Sequence, residues 1–353
     1  MVAFALALTA TLQGEFVSGR PRDTHSGHWK NLAPIPISPR QEHTTLALNS
    51  TTLAILGGIV PPPSSVPPYF NTTPLIQLYS ITANKWLNPV APLPVALNHP
   101  NAAVVDGQVY LLGGLADTCD GVWRGTGTSW VYDPASNEWS RLPGMSDIDT
   151  PRGSAAVGVD AHTGVVYLAG GMTQLPLVED DPLGQDSVDT VSAFDTRRGE
   201  WVVLPELARQ MPGRRDHAGA TVVDRVLYVL GGRDRGQENV RGEVFALDLK
   251  DLEKGWVTKK GRMPTPRGGV CSGTIGGKVY LFGGEGNLAE GSDGVFDQVE
   301  AYDIKMDTWE RLRPMKVPRH GTYAATVDGG IYIPGGGIKL GGAPVDTFDV
   351  FYP

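Results

Sequence analysis

The sequence predicts an all-β protein assembled from six copies of one four-stranded unit. Three observations carry that reading: an excess of turn-forming residues, an apolar strand ending in Gly-Gly that recurs six times, and a tryptophan that follows the first five copies at similar spacing. The chain has 45 glycines and 28 prolines in 353 residues, where average usage would give about 25 and 18. Punctuation of that density breaks helices and favours short strands joined by turns. Hydrophobic residues are 41% and charged residues 19%, so the chain can fill a sizeable core.

The repeated strands are Leu53-Ala-Ile-Leu-Gly57-Gly58, Val109-Tyr-Leu-Leu-Gly113-Gly114, Val166-Tyr-Leu-Ala-Gly170-Gly171, Leu227-Tyr-Val-Leu-Gly231-Gly232, Val279-Tyr-Leu-Phe-Gly283-Gly284 and Ile331-Tyr-Ile-Pro-Gly335-Gly336. Trp86, Trp139, Trp201, Trp256 and Trp309 follow the first five pairs by 25 to 31 residues. An aromatic stands seven residues before four of them: Tyr79, Tyr132, Phe194 and Tyr302. A fixed period of this kind marks a repeat architecture.

Each unit reads as four strands, a to d. In the second, strand a is Ala102–Val105, and Asp106-Gly107 suits a two-residue type I′ turn. Strand b runs from Val109 to Leu112 and closes on the Gly pair, strand c is Trp130–Tyr132, and strand d surrounds Trp139. Strand a is rich in small residues, as in Ser154-Ala-Ala156 and His217-Ala-Gly-Ala-Thr221. Strands crowded around a central axis need such residues, while Trp and Tyr fill the widening gaps outside. These features resemble the kelch family, over about residues 28 to 353, and the resemblance implies a six-bladed β-propeller. The pattern weakens where Leu247 replaces the aromatic and where Ala96-Leu-Asn-His-Pro100 lacks the usual Pro-Arg. The last unit lacks its tryptophan strand, and His28-Trp29-Lys-Asn supplies one at the other end. The N-terminal strand is therefore expected to close blade six, leaving no bare edge.

Residues 23–353 are read as one propeller domain, and residues 1–22 as a secretory leader or an unstructured N-terminus. The apolar run from Val2 and the sequons at Asn49 and Asn71 fit a secreted glycoprotein, with a cytoplasmic location as the alternative. Cys119 and Cys271 fall on opposite blades, which sets them too far apart to pair. The net charge of −8 with scattered Lys and Arg argues against a nucleic-acid partner. No run of 18 apolar residues occurs, so no membrane span is expected. A monomer is expected.

Antiparallel order puts the d–a and b–c loops on one face, and the b–c loops are long: 59–73, 115–128, 172–190, 233–241 and 285–296. Elaborated loops on a rigid frame are where recognition concentrates. The d–a loops bring Arg40, Arg152, Arg214 or Arg215, Arg267 and Arg319, either as a cationic ring for a carboxylate or as ties between blades through buried hydrogen bonds. His43, His99 and His217 each lie 14 residues before their Gly pair, and His320 is one place off. They would be packed histidines, ligand-binding or proton-transferring groups, or, least favoured, metal ligands. Glu42 and Asp216 offset nearby charge, Tyr323, Asn101 and Cys271 can reach the channel, and the aromatic and polar loop residues Tyr69, Phe70, Trp123 and Arg124 would line a small-molecule pocket. The candidate ligand-binding set is therefore His43, His99, Trp123, Arg152, Asp216, His217, Arg267, His320 and Tyr323. No metal and no cofactor is expected. The copper-site motif of the galactose oxidase branch is missing, and around Glu290 and Asp293 the iron-holding Glu-Asp-His spacing of plant specifier proteins fails. Two functions stay open: a module that binds a small molecule or protein partner at the loop face, and a cofactor-independent isomerase or cyclase acting on a small organic molecule.

Overall fold

The computed structural model describes residues 22–23, 26–62, 70–145, 149–177 and 184–353. The leader expected over residues 1–22 falls almost wholly outside that set, as does Tyr69. Six sheets, each built on four antiparallel strands, stand around an axis; those of blades two and five carry additional strands, and two short two-stranded ladders lie beside them. In blade one, strands a to d are Thr44–Ala47, Thr52–Leu56, Ile76–Ser80 and Lys85–Trp86; in blade four they are Gly219–Val223, Val226–Leu230, Val244–Asp248 and Trp256–Thr258. Each innermost strand touches the next around the ring, and that of blade six touches that of blade one. The chain is a six-bladed β-propeller. Leu252–Lys254 forms a 3-10 turn.

The core lies between blades. One cluster joins Leu56, Ile76 and Leu97 to Leu111 and Tyr132 of blade two, and another joins Phe282, Val299 and Met315 to Ile331, Ile333 and Phe351 of blade six. Small residues on strand a fit the crowded axis, and the Tyr-Trp pairs fill the rim. The tilted rings of Tyr132 and Trp139 lie 5.1 Å apart, those of Tyr302 and Trp309 5.2 Å.

Blade six closes as expected. His28–Asn31 pairs antiparallel with Phe348–Tyr352, aligning Trp29 with Phe351. The outer tryptophans clip adjacent blades: the indole N–H of Trp86 donates to Ala33 O, of Trp201 to Pro143 O, of Trp256 to Ala208 O and of Trp309 to Gly261 O. Trp29 makes the equivalent bond to Arg313 O at 3.3 Å, so it occupies the missing outer position of blade six. Residues Arg22–Asp23 add a parallel fifth strand to blade five.

Blade two departs from the expected pattern. Its b and c strands, Gln108–Asp117 and Val122–Asp133, run on through the Gly pair as one long hairpin with a register shift at Leu112/Gly114. The segment read as a loop over 115–128 is thus mostly strand, stabilised where Val122–Arg124 pairs with Gln174–Pro176 from the b–c connection of blade three.

Two outcomes follow. Replacing Trp29 by Ala should cost about 2–3 kcal/mol in urea unfolding, toward the low end for a partly buried aromatic, and deleting residues through 32 should cost more than deleting residues 1–20. Equal melting of the two truncations would overturn the closure. Both cysteines are free; Cys119 is exposed, while Cys271 is buried, with burial pushing its thiol up to about 12. A thiol reagent should modify one cysteine in the folded protein and two after denaturation.

Candidate functional site

The d–a loops meet at the axis through a closed ring of backbone hydrogen bonds. Glu42 N donates to Gly321 O (2.6 Å), His99 N to Glu42 O (2.8 Å), Ser154 N to His99 O (3.0 Å), His217 N to Ser154 O (3.3 Å), Gly269 N to His217 O (3.0 Å) and Gly321 N to Gly269 O (3.1 Å). One residue per blade takes part, and all six have left-handed backbone, with φ between 50° and 64°. The two glycines meet that demand at no steric cost. Glu42, His99, Ser154 and His217 hold it at roughly 1–2 kcal/mol each.

Their side chains converge. His99 Nε2 lies 3.0 Å from Glu42 Oε2 and 3.1 Å from His217 Nε2, and His217 Nε2 lies 3.6 Å from Glu42 Oε2. Each is steadied by the residue before it. Asn98 Oδ1 meets His99 Nδ1 at 2.6 Å, Asp216 Oδ1 meets His217 Nδ1 at 2.6 Å, and Gln41 Nε2 donates to Glu42 Oε1 at 3.1 Å. Arg233 extends the network: its Nε donates to Asp216 Oδ1 at 2.8 Å and its Nη1 pairs with Glu285. His320 sits at the periphery, with Nδ1 3.4 Å from Glu285 Oε2 and Nε2 donating to Lys339 O at 2.8 Å. All of these residues are buried.

Burial and charge oppose one another here. Burial raises the Glu42 carboxyl, but the charges and hydrogen bonds of His99 and His217 outweigh it and hold it well below its usual range. Burial lowers His99, only partly offset by Glu42. For His217, burial and Arg233 are outweighed by Asp216 and Glu42, so its imidazole is raised. Asp216 is held low against burial, chiefly by Arg233, and Glu285 by His320 and Arg233. Unlike groups perturbed in one cluster mark a functional-site candidate.

An apolar cover lies over the loop-face side. The rings of Trp123 and His99 are 5.7 Å apart, and Trp123 packs with Ile59, Leu115, Met172, Phe70, Leu175 and Leu177. On the other side an axial channel of about 250 Å³ runs between the a strands, lined among others by Thr45, Ala103, Ala220 and Tyr323. Tyr323 joins channel to cluster, its phenol raised by burial and by the Glu42 carboxylate.

The expected set divides. His99, Asp216, His217 and His320 fall in the cluster, with Trp123 above and Tyr323 below. His43 does not join: it is buried beside Thr322, its imidazole lowered to about 3 by burial and by Arg40. The a–b turn of blade one, Asn49–Thr51, is one residue longer than that of blade four, so counting back from the Gly pair lands on His43 where the ring residue is Glu42. Counting forward two from Arg40, Leu97, Arg152, Arg215, Arg267 and Arg319 gives the ring residue in every blade. Sequence reasoning also passed over Arg233 and Glu285, which follow a Gly pair where blades one to three carry Ile59, Leu115 and Met172.

Arg152 and Arg267 are not in the mouth. Arg152 donates to Gly170 O, Leu168 O, Ser192 Oγ and Asp149, and Arg267 to Gly283 O, Leu281 O, Thr265 O and Glu300. The arginines are therefore spent tying strands within their own blades, not one blade to the next, because each guanidinium reaches carbonyls and side chains of its own b and c strands or of the loops beside them. Asn101 is structural too: its Nδ2 donates to Arg152 O at 2.9 Å, and its Oδ1 accepts from Ala155 N.

A family description reading "KLHDC2/KLHL20/DRC7 Kelch-repeats domain" matches residues 179–350, and "Kelch motif" matches residues 96–146. Kelch-like protein terF of Aspergillus terreus is 39% identical over 331 residues, covering 93% of this chain and 68% of that protein. The chain belongs to the kelch-repeat family. The N-acetylneuraminate epimerase of Vibrio cholerae is 35% identical over 116 residues, 32% of this chain and 27% of the epimerase. The solved structure of YjhT superposes with a TM-score of 0.69 at 17% identity, covering 90% of this chain and 95% of that one. Kelch propellers bind protein or small-molecule partners. No helix among the described residues is long and apolar enough to cross a membrane.

Truncating Arg267 should unfold the kelch frame without acting specifically on the cluster. Arg267→Ala leaves the fully buried Glu300 without its main partner, at about 3–5 kcal/mol. Urea unfolding measures this; a loss below about 1 kcal/mol would return Arg267 to the list of binding groups.

Proposed function

We propose that the chain is a small-molecule enzyme of isomerase type, with its reactive end at the Glu42–His99–His217 cluster and its substrate in the axial channel. The observation that carries this reading is the choice of side chains on the backbone ring. Blades five and six meet the left-handed backbone with glycine, so the fold does not require Glu or His there. Their conformational cost is of the kind that accumulates at working sites.

The chemistry follows from the groups. A carboxylate, an imidazole lowered in basicity and one raised stand within hydrogen-bond reach, which is what proton transfer at near-neutral pH needs. Tyr323 stays protonated and donates from the channel wall. With the arginines spent on the frame and three buried carboxylates facing one guanidinium, an anionic ligand is disfavoured. A neutral hydroxyl or carbonyl compound suits the site better, its oxygen at the cluster and its carbon frame between Ala103 and Ala220. Thr45 Oγ1, buried on the channel wall without a hydrogen-bond partner, offers one further contact. A channel of about 250 Å³ is just under the usual range of roughly 300–1,000 Å³, so the ligand is compact. That one relative bears an epimerase's name agrees with isomerase chemistry.

Calorimetry with a set of compact phenols, enols and hydroxyketones tests the reading. Binding is expected for the unaltered protein, weakened at least tenfold by Glu42→Gln and abolished by Ala220→Phe, which fills the channel, with melting unchanged in both. Binding that survives Ala220→Phe would move the ligand out of the channel. A folded protein that binds none of the set would leave the partner-binding alternative as the better reading.

A further inference from the structure

We propose that Glu42 Oε2, His99 Nε2 and His217 Nε2 form the face of a divalent metal site. The triangle they make has edges of 3.0, 3.1 and 3.6 Å. First-row metal ions bind imidazole nitrogen and carboxylate oxygen at about 2.0–2.2 Å, which separates neighbouring ligand atoms by about 3.0 Å at right angles and about 3.4 Å in a tetrahedron. The observed edges span that interval, so one cation can touch all three atoms without a shift of backbone. Hydrogen bonding accounts for the triangle less well. Asn98 fixes the proton of His99 on Nδ1, which turns the lone pair of a neutral Nε2 toward the Glu42 carboxylate.

The surroundings match what a metal requires. Ligating histidines donate their other ring N–H to a carboxylate or carbonyl oxygen, which sets tautomer and orientation. Here Asp216 Oδ1 and Asn98 Oδ1 take those positions, each at 2.6 Å. Charge points the same way. Asp216 and Glu285 flank Arg233, and Glu42 adds a third buried carboxylate against that one guanidinium. Neutral imidazoles would leave two negative charges uncompensated, and a divalent cation balances them. Two nitrogens and one oxygen on one face, with the remaining positions open, suit zinc or iron(II) more than calcium or magnesium, which prefer oxygen ligands.

This inference deepens the proposed function, since a cation at the end of the channel would polarise the oxygen of a hydroxyl or carbonyl ligand. The two imidazoles then act as ligands, and the proton-carrying role rests with Tyr323. The residue types arrive from blades one, two and four, and the axis is narrow enough for opposite blades to meet there.

The test uses cobalt(II) alone. The full chain, stripped with chelator and dialysed, should bind one cobalt per chain with a visible absorption band and a raised melting temperature. His99→Ala, His217→Ala and Glu42→Gln should each weaken binding at least a hundredfold. Asp216→Asn and Asn98→Ala, which act by positioning, should weaken it roughly 10–100-fold while the band persists at saturation. Cys119→Ser and His162→Ala, remote from the axis, should bind as the unaltered chain does. Should an alanine variant fail to fold, Glu42→Gln keeps a side chain of the same shape and decides the matter. Absence of stoichiometric binding, or binding indifferent to Glu42→Gln, overturns the metal site. The two proposals fail separately: cobalt bound with no small molecule captured defeats the isomerase reading alone, and capture by a chain that binds no cobalt defeats the metal alone.

Discussion

The molecule depends on a circle of six backbone hydrogen bonds at its axis. Each blade contributes one residue, which donates to the residue before it around the ring and accepts from the one after it. A residue can do both only by turning its chain sharply just before strand a, and that turn is the left-handed conformation found at all six positions. The ring fixes the azimuth of every blade. It also fixes where the side chains of Glu42, His99, Ser154 and His217 begin, at the narrowest point of the fold. Whatever the sequence places there is brought into contact, even from opposite blades.

That constraint explains why so little chemistry is spread over so large a scaffold. A Cβ on Gly321 would lie 2.1 Å from the Glu42 carboxylate, so the Glu42 side chain of blade one, where it stands, needs its absence in blade six. Space at the axis is shared out: where three blades carry functional groups, others must carry almost nothing. The surrounding loops complete the division. The blade-two hairpin lays Trp123 over His99, and the a strands below keep Ala103, Gly219 and Ala220 small enough to leave a channel.

Much of this was legible in the sequence, for physical reasons that also mark where legibility ended. The Gly pairs and tryptophans recur because each blade solves the same packing problem, so six blades could be counted and Trp29 assigned to the blade that lacked its own. His99 and His217 were legible because they share a position counted back from the Gly pair, Asp216 as a counter-charge to the arginines, Trp123 as an aromatic on a long b–c loop, and Tyr323 because most of its counterparts in other blades are small. Glu42 stood only as a second counter-charge, and its place on the ring was missed because register was counted through the a–b turn, which varies in length, instead of through the d–a loop, whose length the ring holds constant. The blade-two hairpin was hidden because Gly113 and Gly114, which end strand b elsewhere, are absorbed there by a bulge. Arg152 and Arg267 were ambiguous by nature: a guanidinium satisfies carbonyls and carboxylates alike, and only the positions of Gly170, Leu168, Gly283 and Glu300 reveal that it is spent.

The same loop thus carries two kinds of residue two positions apart, and their separation keeps fold and function independent. In blades one, three, five and six the arginine points back into its own blade, where its fork binds carbonyls at the end of strand b and a group on strand c, while Arg215 of blade four reaches Glu243 beside strand c. Two residues on, past the left-handed turn, the side chain faces the axis and touches other blades. Changing the first affects the blade; changing the second affects only what meets at the centre. Blade two shows how far the two can be uncoupled. It has Leu97 in place of the arginine, and Asn101 takes up the carbonyl of Arg152 in the next blade, yet His99 still occupies its place on the ring. A frame held by one set of positions leaves the other set free to vary, and the axis is where a propeller of this build can acquire chemistry at the least cost to its blades.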